Sequence, residues 1–340
     1  MKNGRVGIGI VGLGHWGPNH VRVFHQSSHA EVKACCDPDA RRRAYISKAY
    51  PGARVFEKAE ELFSRKDVEA VVIATPAGTH FALAKAALSA GKHVLLEKPM
   101  CASLKEAEEL FAAAGAAGKV VMHGHVFIHN PGIRYIKEAL SRGDLGHLQY
   151  LHATRTNLGP IRPDVNVIQD LAIHEFSIFH CLFDAVPVWI QAAGGRPLKT
   201  PREDVAFISM EFPGGVLAHA HVSWLHPQKI RTLTAVGDKK MVFWNDMDAA
   251  EPVRVFDKGV MEEPYYDSFG QFRLLLRDSG VLIPKLSSEE PLKLQAEAFL
   301  GRVRDGVFSS KEAAAGLEVM RCLEAAQRSL QNEGGRVYLK

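Results

Sequence analysis

The chain has 340 residues, of which 46% are hydrophobic and 24% are charged, and its formal net charge is +4. These proportions are typical of a folded globular protein, so they exclude intrinsic disorder, and the length predicts two domains. The weak positive charge does not indicate a nucleic-acid partner, and no apolar run reaches the roughly 18 residues of a membrane span. The five cysteines form no C-x-x-C pair, which favours reduced thiols and a cytoplasmic location.

The first part of the chain, residues 5–123, alternates between short β-rich runs and helical patterns. The predicted strands are 5–11, 32–36, 53–56, 70–74, 93–96 and 120–123, and the predicted helices are 16–26, 38–49, 59–64, 79–90 and 104–117. Asp37 is the candidate N-cap of the second helix, with Pro38 at its first position. Strands that alternate with helices pair in parallel through right-handed crossovers, so this pattern predicts a doubly wound parallel sheet.

The pattern changes after about residue 124, where consecutive strands replace the alternation. Two helices are predicted at 133–142 and 167–183, and the predicted strands are 147–156, 188–193, 205–212, 216–224, 229–236 and 240–244, with Gly214 and Gly215 in a hairpin turn. We therefore expect an α/β domain over 1–123 and an α+β domain with a large, mostly antiparallel open sheet over 124–340. Closing helices are predicted at 291–305 and 310–331, and the segment 291–331 is a candidate to pack back on the first domain.

A glycine-rich motif, Gly12-Leu13-Gly14-His15-Trp16-Gly17, follows the first predicted strand and opens the first predicted helix. In such a motif the first glycine permits a tight turn, the second lets the backbone approach a pyrophosphate, and the third allows close helix–strand packing. Asp37 lies 20 residues beyond Gly17, where an acidic residue binds the ribose hydroxyls. The motif predicts a Rossmann domain that binds NAD through Gly12, Gly14, His15, Trp16, Gly17 and Asp37.

The choice between NAD and NADP depends on the residues around Asp37. A carboxylate at this place favours NAD, because it repels a 2′-phosphate. Arg41, Arg42 and Arg43 follow closely, and arginines there could weaken that preference. The other reading of the three arginines is a solvated first turn of the next helix, so NADP stays open as a second cofactor.

Two further motifs stand at the ends of predicted strands: Ala74-Thr75-Pro76, with His80 soon after, and Glu97-Lys98-Pro99. Together with the glycine motif and the mixed second domain, they resemble the Gfo/Idh/MocA oxidoreductases over essentially the whole chain. That family consists of nicotinamide-dependent dehydrogenases of sugars, cyclitols and nucleotide sugars. Ligands of open α/β sheets bind beyond the carboxyl ends of the strands. We therefore expect the nicotinamide half of the cofactor site to be lined by Thr75, Pro76, His80, Glu97 and Lys98.

The second domain contributes Asp170 and His174, which are four residues apart and share one side of a predicted helix. A histidine can accept an alcohol proton near neutral pH, and a carboxylate can orient it. The pair resembles the family's Asp-x-x-x-His element, whose members act with the lysine of Glu-Lys-Pro; the ammonium of Lys98 would stabilise a developing alkoxide. The resemblance thus implies the catalytic set Lys98, Asp170 and His174. Without it, such a pair is more typical of a surface or a helix cap.

The segments 16–20, 129–131 and 154–159 are similar to the branch of the family associated with bacterial nucleotide-sugar and polysaccharide pathways. In that branch a Trp precedes the aspartate and the histidine lies in Pro-His-Asp. This sequence keeps the aspartate and the histidine but has other neighbours, Gln169, Ile173 and Glu175. Arg155 and Asn157 are candidate substrate contacts, since an arginine can bind a carboxylate or phosphate bidentately. The alternative places both residues on the solvent face of the sheet.

These features predict an NAD-dependent dehydrogenase that acts on a ring hydroxyl of a sugar, in particular a nucleotide sugar. A free-sugar or inositol dehydrogenase would use the same residues, and a catalytically silent NAD-binding sensor or regulator is the alternative from another class. The resembled family is commonly dimeric or tetrameric through its second sheet, so we expect a homodimer or a homotetramer. The sixteen histidines show no zinc-site spacing, and no metal site is predicted.

Overall fold

The computed structural model describes residues 4–162, 164–262, 274–306 and 308–339, and within them the N-terminal sheet has six parallel strands. The strands are β1 (Val6–Val11), β2 (Ala30–Cys36), β3 (Arg54–Phe56), β4 (Ala70–Ile73), β5 (His93–Leu96) and β6 (Val121–His123). Their order is β3-β2-β1-β4-β5-β6, which is the strand order of a Rossmann fold. The order reverses between β1 and β4, where ligands of such sheets bind at the carboxyl ends.

The helices of this part alternate with the strands along the chain. They are α1 (Gly17–Gln26), α2 (Ala40–Ala49), α3 (Ala59–Phe63), α4 (His80–Ser89) and α5 (Leu104–Ala117). Every residue of β1, β4 and β5 is buried, because both faces of a doubly wound sheet are covered. A later helix, α8 (Pro291–Asp305), adds Phe299 to this core, where its ring meets that of Phe24 edge to face. The predicted doubly wound domain is confirmed.

The second sheet has nine strands within the described ranges. They are β7 (Leu148–Leu158), β8 (Trp189–Gly195), β9 (Val205–Phe212), β10 (Val216–Ser223), β11 (Leu225–Gly237), β12 (Met241–Asn245), β13 (Val253–Glu262), β14 (Leu274–Leu282) and β15 (Val337–Tyr338). Their order is β14-β13-β12-β11-β7-β10-β9-β8-β15. Neighbouring strands are antiparallel except β7 and β10, which run parallel. The predicted mostly antiparallel sheet is confirmed.

The remaining helices are α6 (Pro131–Ser141), α7 (Ile173–Phe183) and α9 (Ser310–Gln331). The chain divides into two compact units, one of Met1–His129 with Glu289–Met320 and one of Asn130–Ser288 with Arg321–Lys340. This division differs from the predicted boundary at 123/124, because it groups 124–129 with the first unit. Of the segment 291–331, a candidate to pack on the first domain, residues 291–320 belong to the first unit and 321–331 to the second. Among the described residues, every helix falls short of the length and apolar character that a membrane crossing requires.

One local prediction is wrong. The N-cap of α2 is Asp39, whose carboxylate accepts from the N–H of Arg41 at 2.8 Å, and not Asp37. Asp37 cannot serve there because its own carboxylate accepts the N–H groups of Leu13 and Asp39. The helix predicted over 167–183 begins as a π-helical turn, Ile168–Ala172, before α7. The strands β13, β14 and β15 have no counterpart in the sequence prediction.

Candidate active site

The glycine motif forms a tight loop between β1 and α1. Gly12 has φ +91°, and a Cβ on it would lie 2.7 Å from the carbonyl oxygen of Ala74. A Cβ on Gly17 would collide with the carbonyl oxygen of Gly12, so the helix can approach the strand only with glycine there. At Gly14 the nearest atom to a Cβ is Nη1 of Arg42, 3.8 Å away, which leaves this part of the loop open to a ligand.

The start of α1 presents the open end of the helix beside this loop. Trp16 is its N-cap residue and makes no side-chain capping bond, so the first N–H groups have no side-chain oxygen from the cap. His15 is exposed and Trp16 is 39% exposed, and their rings meet edge to face at 5.8 Å. A helix N-terminus offers N–H groups and a favourable dipole to phosphates.

Asp37 is 2% exposed and links the end of β2 to the glycine loop. Its Oδ2 accepts from the N–H of Leu13 at 2.7 Å, and its Oδ1 accepts from the N–H of Asp39 at 2.8 Å. Oδ1 has a second lone pair with which to accept a ribose hydroxyl, whereas Oδ2 also has Nη1 of Arg42 within 3.4 Å. The open loop at Gly14 and this carboxylate fit the phosphates and the ribose of NAD.

The three arginines after Asp37 differ in their contacts. Nη1 of Arg42 lies 3.4 Å from Oδ2 of Asp37, and the Arg42 side chain is half exposed. Arg41 donates to the carboxylate of Asp39, while Arg43 donates to the carbonyl oxygen of Asp37 and to Glu57. Arg42 is therefore the one of these three arginines whose guanidinium lies beside the carboxylate of Asp37.

The loops after β4 and β5 are joined by a buried histidine. His80 begins α4 and is 1% exposed, with Nδ1 2.9 Å from the carbonyl oxygen of Pro99 and Nε2 2.8 Å from that of Thr75. Burial lowers the pKa of His80 below its ordinary value. Thr75 is half-buried and accepts from the hydroxyl of Thr79, and Pro76 is exposed. The ring of His80 therefore lies between the two loops, and in its neutral form it donates to one of these two carbonyl oxygens.

Glu97 and Lys98 lie at the carboxyl end of β5. Oε1 of Glu97 is 2.8 Å from Nε2 of His20, and Oε2 accepts from the backbone N–H of Lys98 at 3.1 Å. Burial raises the pKa of Glu97, but the hydrogen bonds from His20 and from the Lys98 backbone hold it below its ordinary value. Glu97 is therefore a carboxylate at neutral pH, and the side chain of Lys98 is half-buried beside it.

Asp170 and His174 lie in the C-terminal unit, on the π-helical turn and the first turn of α7. Asp170 is 9% and His174 7% exposed. Oδ1 of Asp170 accepts from Nη1 of Arg162 at 3.2 Å, and Oδ2 accepts from the indole N–H of Trp224 at 3.1 Å. π-helical turns occur frequently at functional sites. The carboxylate is thus held from both sides.

Arg155 and Asn157, the predicted substrate contacts, lie on β7. Arg155 is 2% exposed, and its Nε lies 2.8 and 2.9 Å from the two carboxylate oxygens of Glu175, which is equally buried. The alternative that placed Arg155 on the solvent face of the sheet is therefore wrong. Asn157 is half-buried and donates to the carbonyl oxygen of Gly159. A substrate role for these two residues stays a prediction.

The sequence prediction assigned no site role to four residues that contact the predicted set: His20, Arg162, Glu175 and Trp224. His20 meets Glu97 across 77 residues, and Trp224 meets Asp170 across 54. Local patterns carry no signal for such pairs. His20 alone had a cue, because it follows the last motif glycine by three residues and so lies on the first turn of α1.

Comparisons with known proteins agree with this geometry. Residues 6–125 match the model of the Gfo/Idh/MocA oxidoreductase family with an NAD-binding Rossmann fold, and residues 133–243 match a Gfo/Idh/MocA C-terminal domain model. The UDP-N-acetylglucosamine 3-dehydrogenase of Acidithiobacillus ferrooxidans is 29% identical, over 93% of this chain and 97% of that protein. Inositol 2-dehydrogenase 2 of Saccharopolyspora erythraea is 30% identical, over 63% of this chain and 66% of that protein.

Among solved structures, GenD2 from gentamicin A biosynthesis, crystallised with NAD, has a TM-score of 0.82 at 24% identity and covers 99% of this chain and 97% of its own. That likeness shows the fold. The two family models cover both the Rossmann domain and much of the second sheet. The chain therefore belongs to the Gfo/Idh/MocA oxidoreductase family and is an NAD(P)-dependent dehydrogenase of that family.

Proposed function

We propose that this dehydrogenase transfers hydride between NAD and a ring hydroxyl of a nucleotide-linked sugar. The observation that carries the proposal is the nearly full-length similarity to a UDP-N-acetylglucosamine 3-dehydrogenase, which covers 93% of the chain and therefore both sheets. The similarity to the inositol dehydrogenase covers 63% of the chain. An inositol or free-sugar substrate is the second candidate, since the same residues would serve it.

The proton-transfer set we propose is Lys98, Asp170 and His174. In the oxidation direction, His174 accepts the proton of the hydroxyl while the C–H bond of the same carbon breaks and its electron pair leaves with the hydrogen. NAD, when bound, supplies the acceptor for that hydride. The buried carboxylate of Asp170 stabilises the positive charge that His174 gains, and the ammonium of Lys98 stabilises the alkoxide.

The experiment is a steady-state measurement of NADH formation with UDP-, GDP- and dTDP-sugars, starting with UDP-N-acetylglucosamine, and with free sugars and inositols as competing substrates. We expect at least one nucleotide sugar to give a kcat/KM about tenfold or more above that of its free sugar, since the nucleotide adds binding energy. If a free sugar or an inositol has the highest kcat/KM, that class of compound replaces nucleotide sugars as the proposed substrate. An absence of turnover with every compound, together with NAD binding, would support the sensor alternative.

The outward face of the second sheet supports the proposal of a homodimer or homotetramer. Tyr150, Phe207 and Leu217 are 46%, 48% and 51% exposed on it. The paired outward positions of β7, β9, β10 and β11 include one charged residue, Glu211, opposite Leu217, and the others are uncharged or histidine: Tyr150, His152, Thr154, Phe207, Ser209, Leu217, His219, His221, Thr232, Thr234 and Val236. Apolar patches of this kind commonly mark interaction surfaces. Light scattering of the wild type and of Phe207→Lys tests this, because a lysine on a buried interface should yield monomers.

We also propose a cytoplasmic location. All five cysteines lie within the described residues, and no disulfide joins any of them there. Burial raises the pKa of Cys35, Cys36 and Cys101 to about 12 in each case, so these thiols stay protonated at neutral pH. Thiol titration of the native and the unfolded protein tests this reading: five thiols should react after unfolding without a reductant.

A further inference from the structure

A histidine on the helix of the glycine motif is paired with the glutamate of Glu-Lys-Pro. His20 is 1% exposed, and its Nε2 lies 2.8 Å from Oε1 of Glu97, which is 8% exposed. Because Glu97 is ionised and can only accept, Nε2 must carry the hydrogen. Within the described residues Nδ1 of His20 has no hydrogen-bond partner, so Nε2 is the ring nitrogen that holds His20 to Glu97.

The same carboxylate holds the backbone of Lys98. Its second oxygen, Oε2, accepts from the N–H of Lys98 at 3.1 Å, so the two oxygens of Glu97 join the imidazole of His20 to the main chain of Lys98. His20 lies on the first turn of α1, whose N-terminus is the phosphate end of the cofactor site. The contact therefore links the element that binds the pyrophosphate to the segment that carries Lys98.

We propose that His20 is a positioning residue: by donating to Glu97 it fixes the main chain of Lys98, and so the ammonium, relative to the cofactor. This inference rests on the proposed function for its effect on kcat, because Lys98 acts in that chemistry. The claim that His20 orders the Lys98 backbone does not rest on the proposed function, since amide hydrogen exchange at Lys98 can be measured without substrate. A group that holds a catalytic lysine affects turnover more than cofactor binding.

The test compares His20→Phe, which removes the donor but keeps a planar ring, with His20→Gln, whose amide can donate from nearly the same place. Glu97→Gln is the second disruptive variant, because its amide has a single acceptor oxygen and cannot accept from both His20 and the N–H of Lys98. His29→Phe is the matched control: Nδ1 of His29 lies 2.9 Å from Oε2 of Glu297 in the same unit, on the surface. Each variant is measured for kcat, for NADH affinity by fluorescence and for amide hydrogen exchange in peptides that contain Lys98.

We expect His20→Phe and Glu97→Gln to lower kcat about 10- to 100-fold and to speed exchange at Lys98, the loss expected for one charge-assisted hydrogen bond. NADH affinity should change less than about threefold, and His20→Gln should regain most of kcat and of the protection. The proposal would be overturned if His20→Gln lost as much kcat and exchange protection as His20→Phe. It would also be overturned if His20→Phe kept the wild-type kcat and the wild-type exchange rate. If the wild type turns over no substrate, the proposed function fails. The exchange data then decide whether His20 orders the backbone of Lys98.

Discussion

The indole N–H of Trp224 donates to Oδ2 of Asp170 at 3.1 Å, from a side chain that is only 1% exposed. Nη1 of Arg162 donates to the other oxygen at 3.2 Å. Trp224 follows the last residue of β10, whereas Asp170 lies on the π-helical turn, so the sheet itself fixes the carboxylate. Residues that orient a functional group through hydrogen bonds of this kind are needed for its precise placement.

Replacing Trp224 with Phe should lower kcat about tenfold, because one donor to the Asp170 carboxylate is lost while most of the ring volume is kept. The matched control is Trp244→Phe, since Trp244 on β12 of the same sheet is also 1% exposed. Steady-state kinetics and thermal unfolding of both variants check this. Equal effects on kcat in the two variants would show that Trp224 acts through packing alone.

The glycine loop allows the fold and the cofactor to be tested separately. Gly17→Ala places a methyl group against the carbonyl oxygen of Gly12, so we expect a loss of about 3 kcal/mol or more in the free energy of unfolding. Gly14→Ala meets no atom closer than 3.8 Å and should change stability by less than about 0.5 kcal/mol. Its methyl group should nevertheless weaken NAD binding about tenfold or more, by blocking the pyrophosphate. Urea unfolding and NADH titration measure both quantities, and unchanged NADH affinity in Gly14→Ala would contradict this cofactor site.

Asp37 and Asp39 offer another matched pair. Asp37→Ala removes the acceptor of the Leu13 N–H and should raise the KM for NAD about tenfold. It should also narrow the preference for NAD over NADP, because Arg42 remains beside the site without the carboxylate. Asp39→Ala removes the cap of α2 and should lower the free energy of unfolding with little change in either KM. A cofactor preference that is the same in wild type and Asp37→Ala would exclude the proposed role.

The stability of the first unit should depend on pH through His93. Its Nδ1 accepts from the N–H of Val120 at 3.1 Å, and burial lowers the pKa of His93 to about 4. The folded-state pKa of His93 lies below its ordinary value of 6.5. The stabilising contribution of neutral His93 is therefore complete above pH 6.5 and is lost as the pH falls from there towards about 4. The free energy of unfolding should fall by at most about 1.4 kcal/mol per pH unit from this group.

Urea unfolding across that pH range, with His93→Asn as the comparison, tests this contribution. The amide oxygen of Asn can accept from Val120 and does not titrate there. We expect the variant to lose less stability than the wild type on acidification. Parallel curves for the two proteins would assign the acid sensitivity to other groups.

Local signals in the sequence were enough to place many elements of the fold. The structure has α5 at its predicted bounds, because Ser103 caps it through the N–H of Glu106 and Gly118 ends it. β13 and β14 were missed because they are defined by pairing with β12 and with each other, which is a long-range property. The cap of α2 was misplaced because two aspartates compete for it, and only the contact with Leu13 decides between them.

In the candidate site, too, some residues could be predicted from local sequence signals and others could not. The glycine motif and the strand ends carry spacing rules, so Gly12, Gly17 and Asp37 occupy the places that the sequence predicts. The burial of Arg155 has no such rule, because it depends on Glu175, which lies on another element. Spacing predicts where the backbone turns, whereas the partner of a buried charge is set by tertiary packing.

The central claim is that Lys98, with Asp170 and His174, carries proton transfer during oxidation of a sugar by NAD. The most direct measurement is kcat of Lys98→Ala and of the wild type with the best nucleotide sugar, alongside NADH affinity for both. We predict that kcat falls about 100-fold or more while NADH affinity changes less than about threefold, because the ammonium acts on the reacting hydroxyl. Turnover by Lys98→Ala at the wild-type rate would contradict the account.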